Sequence, residues 1–138
     1  YPKNIVGVKD SSYNLYENLK IENFSVFPGS ESKLLKGLEL GCAGIITATC
    51  NATSELARKV YDDFKNGNEQ KVNQKLCNVR EAFENYNLIS GLHTYFGKIN
   101  KSYENLLPPL SILNSQEEKE LHSNLKKLNF LIEASLLA

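Results

Sequence analysis

The sequence predicts an α/β fold in which parallel strands alternate with helices and a helical segment follows. Three short runs rich in β-branched residues begin at positions 4, 24 and 43, so their starts recur every 19 or 20 residues. Short apolar strands separated by helices are typical of βαβ units in a parallel sheet. The chain therefore divides into two predicted parts, three βα units over residues 1–66 and a helical extension over residues 67–138.

The predicted strands cover residues 4–8, 24–27 and 43–47, with helices in the gaps between them. The clearest of these helices covers residues 32–40, and Gly41 after it favours a helix end. We expect all three strands to be buried on both faces, because helices normally cover both sides of a parallel sheet.

The second part of the chain is predicted to be mostly helical. Gly67 favours the end of its first helix, while residues 106–110 must be extended because each residue before a proline avoids the α region. Ser115 and Glu118 have the spacing of a capping box, which predicts the start of a last helix. The helices are expected over residues 55–66, 69–87, 91–101 and from 115 onward.

Composition excludes several classes of function. The 138 residues include 16 basic and 16 acidic side chains, which excludes a broad surface for nucleic acid. No apolar run reaches the roughly 18 residues of a membrane span, and the N-terminus lacks the apolar region of a secretory signal, so we expect a cytoplasmic protein without a membrane partner. Neither His93 nor His122 has neighbours at metal-ligand spacing, so no metal and no cofactor are expected.

The sequence also has the character of a piece of a longer protein. It contains no methionine and starts directly at an apolar segment. Three parallel strands would leave two open sheet edges, which natural proteins cover or close. In a (β/α)₈ barrel of roughly 250 residues, three strands and a helical tail would be about half of the chain. We therefore expect an N-terminal half as a partner.

The most informative single residue is Lys9, which directly follows the first predicted strand. Gly29 and Thr47 end the next two strands and would lie on the same rim, where the active sites of parallel α/β proteins are found. Burial of a lysine amine lowers its pKa and makes it a nucleophile for Schiff-base formation with a carbonyl substrate. A lysine that extends from a strand end into water would have the same sequence pattern.

Four segments together match the pattern of one enzyme family. They are the apolar run with its lysine at residues 4–12, the glycine-containing loop at 26–31, the strand segment at 41–48 and the prolines at 108–110. These resemble the dihydrodipicolinate synthase / N-acetylneuraminate lyase family, the pyruvate-dependent class I aldolases. The resemblance implies strands six to eight of a (β/α)₈ barrel, a C-terminal helical extension, and assembly into a homo-oligomer, either a tetramer or a dimer.

The resemblance also implies roles for five residues. Lys9 matches the lysine that condenses with the keto carbon of pyruvate or another 2-oxo acid. Gly29 matches the glycine beside the bound pyruvoyl group, and the backbone of Ile46 would line the same pocket. Ser11 and Glu31 match positions that contact the hydroxylated part of the substrate in sugar-acid members. The family's carboxylate-binding loop and proton-shuttling tyrosine would precede this chain, so we expect the chain alone to be inactive.

Substrate choice is predicted from short segments only. Residues 9–11 and 27–31 resemble those of sugar-acid aldolases, which favours the cleavage or formation of a 2-keto-3-deoxy sugar acid. The alternative is 4-hydroxy-tetrahydrodipicolinate synthase, which uses pyruvate and aspartate semialdehyde. A second alternative is a family member that binds a ligand without catalysis, although it would not need Lys9. Tyr13 departs from the pattern, because many members have glycine at that position.

Overall fold

A computed structural model of the chain describes residue 1 and residues 3–131. Two compact units are present, of which the first spans Tyr1–Cys77 and the second begins at Asn78. The domain division predicted after residue 66 stays a prediction. No helix among the described residues is both long enough and apolar enough to cross a membrane.

A pair of parallel strands lies in the first unit. The second is within one residue of its predicted position, but the first begins three residues later than predicted, so Lys9 lies within the strand and not directly after it. β1 (Gly7–Asp10) pairs with β2 (Ser25–Pro28) in a register that sets Val8 beside Val26 and Lys9 beside Phe27. Because side chains alternate along a strand, Val8 and Val26 share one face of the pair and Lys9 shares the other with Phe27.

The third predicted strand is irregular, which corrects the sequence-based expectation. The segment runs beside β2, since the Ala43 amide donates to the Val26 carbonyl at 3.2 Å and the Ile46 amide donates to the Pro28 carbonyl at 3.1 Å. These bonds enclose one more residue on this segment than on β2, as in a β-bulge. Gly44 lies within the bulge at φ 153°, a conformation that residues with a Cβ rarely adopt.

The connection between β1 and β2 also differs from the prediction. The sequence predicts a helix there, whereas residues 11–23 form bends and turns. The backbone is left-handed at Tyr13, with φ 60°, and at Asn23, with φ 56°. Such residues interrupt a right-handed helix, so the chain returns to β2 without forming one.

Two helices of the first unit end as the sequence predicts. α1 (Leu34–Glu39) follows a short 3₁₀ turn and is closed by Gly41, which has φ 88°. The Cys42 amide donates a hydrogen bond to the Gly37 carbonyl at 2.8 Å, so the helix ends in a Schellman motif. α2 (Cys50–Lys65) is likewise followed by a left-handed glycine, Gly67, at φ 68°.

Two apolar clusters form the core of the first unit. The first joins α1 to α2 and to α3 (Asn73–Glu84), and the second packs against one face of the strand pair. Burial of these side chains is the main favourable term that holds the unit together. The first cluster contains Leu34, Leu38, Ala57, Val60 and Leu76, and the second contains Tyr16, Val26 and Cys42.

The second unit contains α4 (Leu88–Gly97) and α5 (Ser115–Lys127), joined through a 3₁₀ turn at Lys101–Glu104. Residues 105–114 contain no helix, as expected from the prolines, but Pro108 and Pro109 form a turn where an extended segment is predicted. Aromatic rings pack within this unit, with the Phe83 and Tyr95 rings edge to face at 5.5 Å between centroids.

The capping box of α5 is shifted by one residue from the predicted one. Asn114, not Ser115, is the N-cap, and its side chain accepts hydrogen bonds from the amides of Gln116 and Glu117. The Glu117 carboxylate accepts from the Asn114 amide at 3.0 Å, which completes the box.

This shift gives a test of the fold. We expect Asn114→Ala to lower the free energy of unfolding by about 1 kcal/mol, because two helix amides lose their acceptor. Ser115→Ala is the matched control and should change stability by only a few tenths of a kcal/mol. Urea unfolding of both variants measures the difference, and a larger loss for Ser115→Ala would show that the box is placed wrongly.

Candidate active site

Lys9 lies on the face of the strand pair that is opposite the apolar core. Val8 and Val26 pack with Tyr16 on the other face, whereas the Lys9 side chain is exposed among the described residues. The expectation that the strands are buried on both faces is therefore wrong for the described part of the chain, because the Lys9 side chain is exposed on one of them.

An open concavity on this face brings Lys9 and Ile46 together. It is lined by β1 and the residues before it, by Phe27 of β2 and by Ile46. Ile46 is 48% exposed, and the hydrogen bond from its amide to Pro28 fixes its backbone beside the end of β2. Two of the predicted site residues thus line one surface.

Gly29 and Ser11 meet where β1 and β2 end. The Gly29 amide donates to the Asp10 carbonyl at 2.9 Å. A Cβ atom on residue 29 would lie 3.2 Å from the Ser11 Oγ and 3.3 Å from the Ser11 Cα. The close approach of the two loops therefore explains why glycine is found here. The structure brings these two predicted residues together at the end of the strand that carries Lys9.

Asp10 is an important residue that the sequence analysis did not identify. It is 2% exposed, and its carboxylate accepts hydrogen bonds at 2.9 Å from the amides of Leu15 and Tyr16 and from the Ser12 hydroxyl. Burial alone would raise the pKa of Asp10, but these hydrogen bonds outweigh it and hold the pKa below its usual value. Asp10 therefore fixes the loop that follows Lys9. An aspartate followed by serines is a capping pattern that could have indicated this role.

Tyr13 occupies a position that favours glycine. Its φ of 60° is in the left-handed region, which agrees with the glycine that many members of the resembled family have there. Two contacts of the ring offset part of the backbone strain. The ring packs against the cluster that contains Tyr16 and Val26, and the Lys33 Nζ lies 5.5 Å from its centroid.

Glu31 is placed differently from the substrate contact that the sequence predicts. Its side chain is fully buried, at the start of the 3₁₀ turn after β2. The carboxylate accepts hydrogen bonds from the hydroxyls of Thr47, Thr49 and Thr53. A carboxylate in this position holds parts of the fold together, so the geometry corrects the expected role of Glu31.

The cysteines and histidines add no second site. Burial raises the pKa of the Cys42 thiol and of the Cys77 thiol, which disfavours the reactive thiolate. Within residues 1 and 3–131, no three histidine, cysteine or acidic side chains are grouped so that they could hold a metal ion.

The chain belongs to the dihydrodipicolinate synthetase family, whose sequence model matches residues 2–128. It is 26% identical over 134 residues to an uncharacterized DapA-like lyase of Halobacterium salinarum. This match covers 92% of this chain and 44% of the relative. It is 28% identical over 114 residues to a 2-dehydro-3-deoxy-D-gluconate/2-dehydro-3-deoxy-phosphogluconate aldolase of Picrophilus torridus, covering 77% of this chain and 42% of that protein. A 4-hydroxy-tetrahydrodipicolinate synthase of Blochmanniella pennsylvanica is 33% identical over 88 residues, or 58% of this chain and 29% of the synthase.

Solved structures show the same fold. The dihydrodipicolinate synthase of Aquifex aeolicus superposes with a TM-score of 0.82 at 21% identity, over 95% of this chain and 47% of that one. The Bacillus anthracis enzyme DapA-2 gives 0.78 at 20% identity, over 89% and 45%. The chain spans less than half the length of these relatives, and its mixed α/β structure fits part of a barrel.

The buried Asp10 carboxylate predicts a pH dependence. Because its pKa is lowered by folding, Asp10 stabilises the fold above a pH of about 4, and this contribution is lost as the pH falls through the folded-state pKa. Asp10→Asn should cost about 1–2 kcal/mol at neutral pH, and the difference from wild type should shrink at a pH of about 3.

Urea unfolding at both pH values measures this difference. Asp62→Asn is the control, because Asp62 is an exposed carboxylate on α2 that pairs with Arg58, and it should change stability by less than about 1 kcal/mol. A loss for Asp10→Asn that is equal at both pH values would contradict the assigned role of the ionised carboxylate.

Proposed function

We propose that the protein to which this chain belongs is a class I aldolase that forms a Schiff base between Lys9 and a 2-oxo acid such as pyruvate. In this proposal the chain supplies strands six to eight of a (β/α)₈ barrel and its C-terminal helical extension. An N-terminal half supplies the remaining strands. Assembly into a homo-oligomer stays a prediction.

The observation that carries the proposal is the position of the Lys9 amine. It extends from β1 into a concavity that Ile46 also lines, beside the strand ends where Gly29 and Ser11 meet. Attack of an unprotonated amine on the keto carbon, followed by loss of water, gives the imine that activates the neighbouring carbon. Because residue 29 has no side chain, the loop after β2 lies close against Ser11 beside the proposed pocket.

Enclosure of Lys9 is the proposed contribution of the rest of the barrel. Lys9 is exposed among the described residues, so those residues alone do not remove it from water. Strands that pair with the open edge of β1 and close the barrel would enclose the face that Lys9 and Phe27 share. An enclosed pocket excludes the water that would hydrolyse the imine prematurely.

For the reaction we propose the cleavage of a 2-keto-3-deoxy sugar acid into pyruvate and an aldehyde, or its formation from them. Residues 9–11 and 27–31 support this choice by resemblance, and the match to the Picrophilus aldolase covers 77% of the chain. The match to the Blochmanniella synthase, at 33% identity, supports 4-hydroxy-tetrahydrodipicolinate synthesis as the second candidate. Retention of Lys9 argues against a protein that only binds its ligand.

Borohydride trapping with pyruvate in the complete protein tests the Schiff base. We expect a covalent adduct on Lys9 in the wild type and none in Lys9→Ala or Lys9→Arg, because arginine stays charged and cannot act as the nucleophile. Peptide mass analysis locates the adduct. Lys36→Ala is the control, since Lys36 is an exposed lysine on α1, and it should be trapped normally. Trapping that persists without Lys9 would refute the proposal.

The chain expressed alone should show no aldolase turnover. In this proposal the strands that hold the substrate carboxylate and move the proton are in the other half, and the open edge of β1 should favour pairing with strands of other chains. Assays of the isolated chain with pyruvate and with a 2-keto-3-deoxy sugar acid measure this. A normal enzymatic rate would show that the described residues contain a complete active site.

A further inference from the structure

We propose that Glu31 is a positioning residue that holds the loop of Gly29 and the segment of Ile46 at a fixed spacing on the two sides of the 2-oxo acid pocket. This inference rests on the proposed function. In this inference Glu31 does not make the substrate contact that the sequence predicts, but sets the positions of the backbone segments on both sides of the pocket.

The hydrogen bonds of Glu31 connect the two segments directly. Glu31 lies two residues after Gly29, and Thr47 directly follows Ile46. The Thr47 hydroxyl donates to the Glu31 Oε2 at 3.0 Å. A single side-chain bond thus joins the segments next to the two proposed pocket residues. It reinforces the backbone bond from the Ile46 amide to the Pro28 carbonyl.

The opposite oxygen of the carboxylate is held by α2. The Thr53 hydroxyl lies 2.9 Å from the Glu31 Oε1, and the Thr49 hydroxyl donates to the same oxygen. Thr49 and Thr53 are themselves 1% exposed or less. The carboxylate is therefore fixed to a long helix on one side and to the pocket segment on the other.

Burial makes this connection rigid. A carboxyl group that is removed from water is tolerated only when hydrogen bonds replace its hydration. Glu31 is fully buried, so moving Thr47 away would remove one of the bonds that compensate for its burial. A shift of Ile46 that carries Thr47 with it would therefore cost the free energy of leaving Glu31 buried with one hydrogen bond fewer. A leucine or valine at residue 31 would pack in the same space without setting a distance to Thr47.

Thr47→Val is the informative variant for a test in the complete protein. It removes one hydroxyl at nearly constant volume and leaves Glu31 its bonds from Thr49 and Thr53, so the fold is expected to be kept. Asp63→Asn is the matched control. It also alters a buried carboxylate of the first unit, but Asp63 is bonded to Lys59 and Asn68 at the other end of α2.

The measured quantity is the pyruvate concentration that gives half-maximal borohydride trapping on Lys9, together with the unfolding temperature of each variant. We expect Thr47→Val to raise this concentration about threefold to tenfold, as for the loss of one ordinary hydrogen bond. Asp63→Asn should lower the unfolding temperature at least as much and leave the concentration within about twofold.

The outcomes separate the inference from the function on which it rests. Normal trapping of wild type with an unchanged pyruvate dependence in Thr47→Val would overturn the positioning role alone. A rise in both variants in proportion to their lost stability would also overturn it, because Glu31 would then act only on stability. A wild-type protein that gives no adduct would overturn the proposed function and the positioning role together.

Discussion

The parallel register of β1 and β2 is the constraint on which the candidate site depends. It aligns the ends of the two strands, so that the Gly29 amide reaches the Asp10 carbonyl at 2.9 Å. The same register sets Lys9 on the face away from the apolar cluster, because alternate residues point to opposite sides. A slip by one residue would turn Lys9 into the core and expose Val8. The packing of Val8 and Val26 therefore decides the direction of the lysine.

Two buried carboxylates hold the loops that extend from this strand pair. Asp10 fixes the loop after β1 through the amides of Leu15 and Tyr16, and Glu31 fixes the loop after β2 through threonine hydroxyls. Loops have few apolar contacts, so apolar burial alone leaves their conformation loosely defined. A carboxylate with several donors is directional, and its burial penalises any arrangement that breaks the bonds. Buried carboxylates with several hydrogen-bond donors are therefore suited to hold the loops of a site whose function depends on backbone positions.

The parts of the fold that the sequence predicts well are those set by local chemistry. The ends of α1 and α2 were predicted from Gly41 and Gly67, because few other residues adopt a left-handed conformation at low cost. β1 and β2 were found from their β-branched runs. The sequence predicts Lys9 directly after the first strand, whereas the structure sets it within β1 with its side chain exposed.

The features that the sequence analysis missed depend on partners far away in the chain or on hydrogen-bond geometry. The direction of the Glu31 side chain is set by hydroxyls that lie between 16 and 22 residues later in the chain. The residues next to Glu31 in sequence therefore identify it only as a polar residue after a strand. Two other features change hydrogen bonds but leave the spacing of apolar residues in the sequence as it is. They are the bulge at Gly44 and the one-residue shift of the helix cap to Asn114. The donors to Asp10 are the amides of Leu15 and Tyr16, which the helix predicted between β1 and β2 would occupy with helical hydrogen bonds.

Because Glu31 is buried, its carboxylate does not select the substrate by direct contact. A carboxylate facing the substrate would favour the hydroxyls of a sugar acid and repel an acidic semialdehyde, but one bonded to Thr47 and Thr53 does neither. Ser11 is the remaining proposed contact beyond the pyruvoyl group, and its exposed hydroxyl both donates and accepts. Strong rejection of an analogue requires a buried polar group that is left unpaired, which an exposed serine does not provide. On the proposed function, this chain then forms the part of the pocket that binds the 2-oxo acid in both candidate reactions, and discrimination between the second substrates falls to the rest of the barrel.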